Sequence, residues 1–475
     1  MNFASKAFFL FLPVVLLIYH LLPTRTSKYR FLLVASWVFY MSWNPWFIWV
    51  IVVTSIIDYA CGVRIESAAT PRRRRLWLWI SVVSNLGLLA YFKYANFFIA
   101  NSIALARQLG WPVPDCALHV ILPLGISFHT FQGLSYTLDV YRGKISAVRS
   151  FTDFALFVAF FPQLVAGPIV RASEFLPQMT VPPPVTPQHV VEGLHWFLIG
   201  LFKKVFIADR LAQFVDPVFA QPELYDAVTH RWAILAYAAQ IYCDFSGYSD
   251  LAIGTAKWFG FELPQNFNFP YLSASITEFW KRWHMTLSTW MRDYLYISLG
   301  GSRRGNLRTY VNLLATMTLC GLWHGASWNY VLWGLYNGVL LAAHRAGDHL
   351  LQGLAAVGRV RQSPAYRLVA ILTTFLMVAV GLVMVRSQSP AGCWLMERSL
   401  LGWPTGGASL RWVPTWVPLL VGLVVAGHLF SGLREVRCGF AHWPALPRAV
   451  VYAATICLLV AFGPGSTKAF IYFQF

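Results

Sequence analysis

RRRRLWLWISVVSNLGLLAYF, residues 72–92, decides how the rest of the chain is read. Four arginines in a row are followed by seventeen residues without a charged side chain. A helix of that length rises ~25 Å, close to the ~30 Å hydrocarbon core of a bilayer. Arginines clustered at one end of such a run mark the cytoplasmic side. The stretch therefore reads as a helix over 76–92 that leaves the cytoplasm at the arginines and runs outward.

The same pattern recurs along the chain. Of its 475 residues, 57% are hydrophobic and only 12% are charged, too few charges to cover a soluble protein of this size. The expected fold class is all-α, a polytopic helical membrane protein; barrel strands would give short alternating segments instead. The net charge of +18 raises nucleic-acid binding. Its placement argues against that. Basic residues sit in short loops: Arg25, Lys28 and Arg30; Arg64 with Arg72 to Arg75; Arg142, Lys144 and Arg149. Assigned to the cytoplasm, these loops give a consistent path across the bilayer, and no nucleic-acid partner is expected. The first helix, about 7–22, then starts outside, and a hairpin over 31–62 turns outside at Asn44-Pro45. No clear small-residue cleavage pattern follows that helix, so it is expected to be retained.

Further segments are expected near 119–140, 153–169, 194–208, 232–259, 307–323, 328–346, 366–385, 414–431 and 447–463. Together they give roughly ten to thirteen membrane-associated elements, some re-entrant or interfacial, in one domain over 1–475. Pro162, Gly167 and Pro168 predict a broken or re-entrant 153–169, tolerable only where protein buries it. VPPPVTPQ (181–188) reads as an extended linker, and 387–413 as an external or interfacial loop. The seven cysteines are odd in number and contain no C-x-x-C pair. Neither a disulfide framework nor a metal site is expected from them.

One segment differs in kind. ITEFWKRWHMTLSTWMRDYL (276–295) puts Trp280, Trp283, Leu287, Trp290, Met291 and Tyr294 on one helical face, with Glu278, Lys281, Arg282, Arg292 and Asp293 opposite. At 100° per residue it predicts an amphipathic helix, with His284 on the aromatic side.

Ionisable groups inside a membrane are costly, so each is a candidate for function. In LCGLWHGASW (319–328), His324 stands among apolar and small residues, flanked by Gly321 and Gly325. Those glycines permit either close approach of a substrate or an ordinary helix contact with an incidental histidine. The residues leave both open. A neutral imidazole at this depth would suit a general base. His129 is a lesser candidate, while His119, His189, His230, His344, His349 and His442 fall at expected ends or loops and read as solvated. In YCDFSGYSDLAIG (242–254), Asp244, Ser246 and Asp250 are polar groups within an apolar helix and need partners, with Arg or Lys of 276–295 the expected source. The basic loop GGSRRGNLR (300–308) offers Arg303, Arg304 and Arg308 to phosphates, or is simply a cytoplasmic loop.

Taken together, SITEFWKRWHMTLSTWMRDYLYISLGG, YCDFSGYSDLAIG, CGLWHGASWNYVLWGLYNG, FFPQLVAGPIVR, LFKKVFIADRLA and the terminal FIYFQF resemble the membrane-bound O-acyltransferase (MBOAT) family. Within it they look most like the bacterial branch typified by the alginate O-acetylation protein, over essentially the whole chain. The resemblance implies transfer of an acetyl group from cytoplasmic acetyl-CoA across the bacterial inner membrane, by an O-acyltransferase needing no metal. It implies His324 and His284 as catalytic residues, with Asp244, Ser246, Asp250, Trp280 and Trp323 supporting them. It also implies a periplasmic SGNH-type acetyltransferase partner and an exported polysaccharide acceptor. Peptidoglycan, teichoic acid or a lipid are alternative acceptors, and a non-catalytic acyl or glycan transporter is the alternative from another class.

Overall fold

The computed structural model describes residues 1, 3–118, 120–180, 184–352, 360–403, 410–430, 443–462 and 470. Their regular structure is helical, apart from one isolated bridge between Tyr225 and Leu410. Lys6–Leu21 (α1), Arg25–Met41 (α2), Ile48–Ser67 (α3) and Pro71–Leu89 (α4) come first. Ser5, Thr24 and Thr70 cap α1, α2 and α4 by accepting from backbone N–H groups that a helix start leaves open.

α4 contains the start of the arginine-led stretch. Its Leu76, Trp79, Ile80, Val83 and Leu86 are exposed, a stripe at helical spacing suited to lipid. Ser81 and Asn85, on the other side, are buried and donate to the Asp58 carboxylate of α3 at 2.6 and 2.8 Å. The run does not end near residue 92 as expected. A wide π-turn over Ala90–Tyr94 carries it into Ala95–Gln108 (α5). Among the described residues, Pro45–Ser67, Pro71–Gln108 and Pro364–Arg386 are the runs of at least 18 residues apolar enough to cross a membrane.

Ile126–Tyr141 (α6) leads to the segment expected to be broken, and it is broken. Phe151–Ala159 (α7) and Phe161–Leu164 (α8) meet at Phe160, and every residue from 154 to 170 is buried, as irregular backbone at membrane depth requires. After Ala172–Thr180 (α9), Pro187–Leu201 (α10) passes through a second π-turn, Phe202–Ala208, into Asp209–Ala220 (α11). Ala227–Trp258 (α12) runs back through the centre, buried on all sides over most of its length. α10 and α12 are antiparallel and cross on glycines. A Cβ on Gly200 would fall 2.6 Å from the Gly247 carbonyl oxygen, and one on Gly254 would fall 2.6 Å from that of Gly193. Only glycine allows so close an approach.

The 276–295 stretch is not one helix. It divides into Ile276–Trp280 (α13) and Met285–Trp290 (α14), followed by a third π-turn over Met291–Tyr296. Asn306–His324 (α15), Trp328–Leu351 (α16), Pro364–Arg386 (α17), Pro390–Leu400 (α18), Trp416–Phe430 (α19) and Ala445–Phe462 (α20) complete the described elements. α18 occupies part of 387–413, expected to be a loop. It is held to α12 by His230, whose ring bonds Ser399 Oγ and the Pro222 carbonyl, both at 2.7 Å. His230 is therefore buried rather than solvated, because a helix covers it that its local sequence does not announce. His119, His442, residues 181–183 of the proline-rich linker and all of FIYFQF but Phe470 lie outside the described residues.

Candidate active site

His324 is the last residue of α15, and α16 holds that end in place. A Cβ on Gly321 would lie 2.2 Å from the Tyr330 carbonyl oxygen and 2.9 Å from Gly334 Cα; one on Gly325 would strike the Tyr330 ring at 2.2 Å. Both flanking glycines thus serve a contact with α16. They fix the histidine by packing instead of opening a path to it. Gly321→Ala is expected to force α15 and α16 apart at a cost of about 1–3 kcal/mol. Thermal unfolding of the detergent-solubilised protein would fall, and so would activity in the folded fraction, since His324 rides on the displaced end.

The second histidine reaches the same place by a different device. His284 has φ 43°, a left-handed conformation that costs a non-glycine residue and persists only when its surroundings hold it. Here Asn268 N–H donates to the Arg282 carbonyl at 2.8 Å, and Met285 N–H donates to that of Asn266 at 2.9 Å. The Asn266 side-chain oxygen accepts from the Thr286 hydroxyl at 2.9 Å, and Thr286 Oγ1 accepts from Ile169 N–H of the broken segment at 3.0 Å. Two extended pieces of chain therefore pin the turn. It buries His284 completely, with its ring 6.3 Å from that of His324. The helical projection placed His284 inward correctly but for the wrong reason.

Aromatic rings enclose the pair. Trp323 lies 4.9 Å from His324 and 6.2 Å from His284, and Trp333 lies 5.2 Å from His324 on its edge. Phe131 of α6 stacks between Trp323 and Trp290, and Phe245 of α12 meets His284 at 4.6 Å. The indole N–H groups of Trp280 and Trp323 are buried without an acceptor among the described residues. Beside His324 lies a cavity of about 40 Å³, walled by Trp283, Tyr330, Trp333 and Asn337 among others. That volume accommodates a few heavy atoms. A carbonyl or hydroxyl group fits; a sugar ring does not.

The acidic cluster lies one layer behind. Asp244 and Asp250 take their cations from the second π-turn, not from 276–295 as expected. Lys203 Nζ meets Asp250 at 2.6 Å, and Lys204 Nζ bridges Asp244 and Asp209, the latter at 2.8 Å. The cations of 276–295 are engaged elsewhere: Arg282 pairs with Glu278, and Arg292 with Asp293. Ser246, buried on α12, shares this layer. Only Phe245, between Asp244 and Ser246, touches a site histidine. His129 is buried on α6 with neither ring nitrogen hydrogen-bonded among the described residues, two positions from Phe131.

One cation at the site was missed. Lys93, in the first π-turn, donates to the carbonyls of Trp323 and His324 at 2.5 and 3.0 Å, while the Tyr94 hydroxyl donates to that of Leu322 at 3.0 Å. A lysine within an apolar run was itself the signal, by the same reasoning that singled out the histidines. Arg303, Arg304 and Arg308 are exposed at the opposite end of α15, a helix length of ~27 Å from His324.

Comparison with known proteins gives this geometry a frame. A family model described as MBOAT, membrane-bound O-acyltransferase family, matches residues 144–385. The chain is 42% identical to a probable alginate O-acetylase AlgI of Pseudomonas aeruginosa, covering 98% of this chain and 88% of that one. A protein of the same name from Pseudomonas putida is 44% identical with full coverage of both chains. A peptidoglycan O-acetyltransferase of Helicobacter pylori is 39% identical over 72% of this chain and 69% of its own. Two histidines closed in by tryptophans, on a chain matched along its length by such relatives, lead to one conclusion: this protein belongs to the membrane-bound O-acyltransferase family and is a multi-pass membrane O-acyltransferase.

Proposed function

We propose that the protein transfers acetyl groups from acetyl-CoA, through the inner membrane, for O-acetylation of an exported polysaccharide, with His324 as general base. The observation that carries this reading is the pair of buried imidazoles 6.3 Å apart beside a cavity sized for an acetyl group. A thioester is already activated, so the protein must supply a base and a stabiliser for the developing oxyanion. His324 takes the proton of the acceptor hydroxyl as its oxygen attacks the thioester carbonyl. The carbon–sulfur bond then breaks, and the proton passes to the departing thiolate. The indole N–H groups of Trp323 and Trp280, with His284 beside them, face the oxyanion. Asp244, Ser246 and Asp250 support this wall from behind through Phe245.

Arg303, Arg304 and Arg308 sit too far from His324 to touch the reacting carbonyl, so their role in this scheme is to hold the donor's phosphates. The small cavity favours a relay over direct attack by a polymer. A hydroxyl side chain of a periplasmic SGNH-type partner enters where a sugar ring cannot, and the partner delivers the acetyl group to the polysaccharide. Peptidoglycan is the second acceptor to test, because the Helicobacter pylori relative bears that name.

Deleting the gene and measuring ester-linked acetate on each exported polymer tests the assignment. Loss from an exopolysaccharide, restored by the wild-type chain, supports it; loss from peptidoglycan alone replaces the acceptor. Trp323→Phe keeps the ring but removes the N–H, and is expected to lower turnover on the order of 10²-fold without changing membrane levels.

A further inference from the structure

We infer that Lys93 is the positioning residue for His324, acting through the backbone of the last turn of α15. The inference rests on the reading of His324 as the base. A helix leaves its final carbonyls without intrahelical donors, and here those carbonyls lie in apolar surroundings where water does not replace the missing bonds. Three consecutive ones, at Leu322, Trp323 and His324, receive donors from two adjacent residues, Tyr94 and Lys93. The Lys93 ammonium clamps the peptide groups on both sides of His324 Cα, and its positive charge sits at the negative end of the α15 dipole. It also lies 5.8 Å from the Trp323 ring centre, so the same group fixes the neighbouring indole.

The π-turn over Ala90–Tyr94 is what aims these donors. A regular helix from Pro71 to Gln108 would rotate the residues after the turn relative to those before it. Other contacts at this end of α15 do not duplicate the clamp. Gly325 N–H bonds back to the Gly321 carbonyl at 3.3 Å, which satisfies the carbonyl one turn earlier and leaves the last three to Lys93 and Tyr94. Without the clamp the last turn is free to unwind, and the imidazole moves relative to the carbonyl it must serve. A displacement of about 1 Å is enough to cost ~10²-fold in rate.

The test uses the purified full-length protein with acetyl-CoA as probe, reading thiol release in the presence of the acceptor partner. Lys93→Met, close in length and without donors, is expected to lower kcat ~10²-fold while KM for acetyl-CoA stays within about threefold. Lys93→Arg, which restores N–H donors, is expected to recover kcat to within about tenfold of wild type. A purely structural role would lower the melting temperature of Lys93→Met and leave kcat of the folded protein unchanged, and that result overturns the inference. Should Lys93→Met yield no folded protein, Lys93→Gln decides instead: a tenfold or greater fall in kcat at constant KM supports the role, and unchanged kcat overturns it. Full activity in His324→Ala would instead remove the reading on which the inference stands, an outcome distinct from any result at Lys93.

Discussion

His324→Ala is expected to lower O-acetyl transfer ~10²–10⁴-fold, with the protein still folded and present in the membrane at wild-type levels. The imidazole is the group with proton-accepting capacity at the wall of the small cavity, and the indoles around it donate but do not accept. Removing it leaves substrate binding and any oxyanion donors in place, so residual turnover above background is expected and KM should change little. The fold has reason to survive. The α15–α16 contact depends on Gly321, Gly334 and Tyr330, none of which is altered. Ester-linked acetate on the exported polymer, measured at matched membrane levels, checks the prediction. At the second histidine the informative variant is His284→Asn, since asparagine tolerates the left-handed backbone that alanine resists.

Lys204→Met is expected to destabilise the protein by about 3–5 kcal/mol, the largest stability effect of a single substitution. Lys204, Asp244 and Asp209 are all buried, with side chains no more than 4% exposed. Methionine fills the space but leaves two carboxylates facing each other without a cation. Each ion of such a group is costly to desolvate, and the remaining pair repels. The measurement is the yield and melting temperature of the solubilised protein, which should both fall sharply. Combining Lys204→Met with Asp244→Asn and Asp209→Asn removes the uncompensated charge and is expected to recover much of the loss. If the single variant melted like wild type, the triad would carry no stability and the account of this layer would be wrong.

How much of this was legible in the sequence differs from residue to residue. The charge-free run after Arg75 announced a membrane helix because hydropathy is a local property, and the proline–glycine pattern of 153–169 announced a broken segment for the same reason. Motifs that resemble a known family paired His284 with His324 correctly. What failed was everything set by distant chain. The periodicity of 276–295 predicted one amphipathic helix, but Asn266 and Asn268 bend it at His284, and no local pattern records those bonds. The partners of Asp244 and Asp250 come from forty to fifty residues upstream, on a π-turn that shifts the helix register. His230 looked solvated because α18, which buries it, lies about 170 residues away. Lys93 is separated from His324 by 231 positions, yet its charge in an apolar run was in plain view.

The three π-turns share a feature that explains several of these misses. Each carries charged side chains into a packed interior: Lys93 at the end of α15, Lys203 and Lys204 against α12, and Asp293 against Arg171 at 2.8 Å. A local widening of a helix re-aims a side chain without ending the helix, so the hydrophobic pattern continues across it. The central claim concerns chemistry at His324. Purified wild-type protein and His324→Ala, reconstituted in liposomes with radiolabelled acetyl-CoA and the acceptor partner, test it most directly. The account predicts thiol release and labelled acceptor with wild type, and neither above background with the variant; equal transfer by both would contradict it.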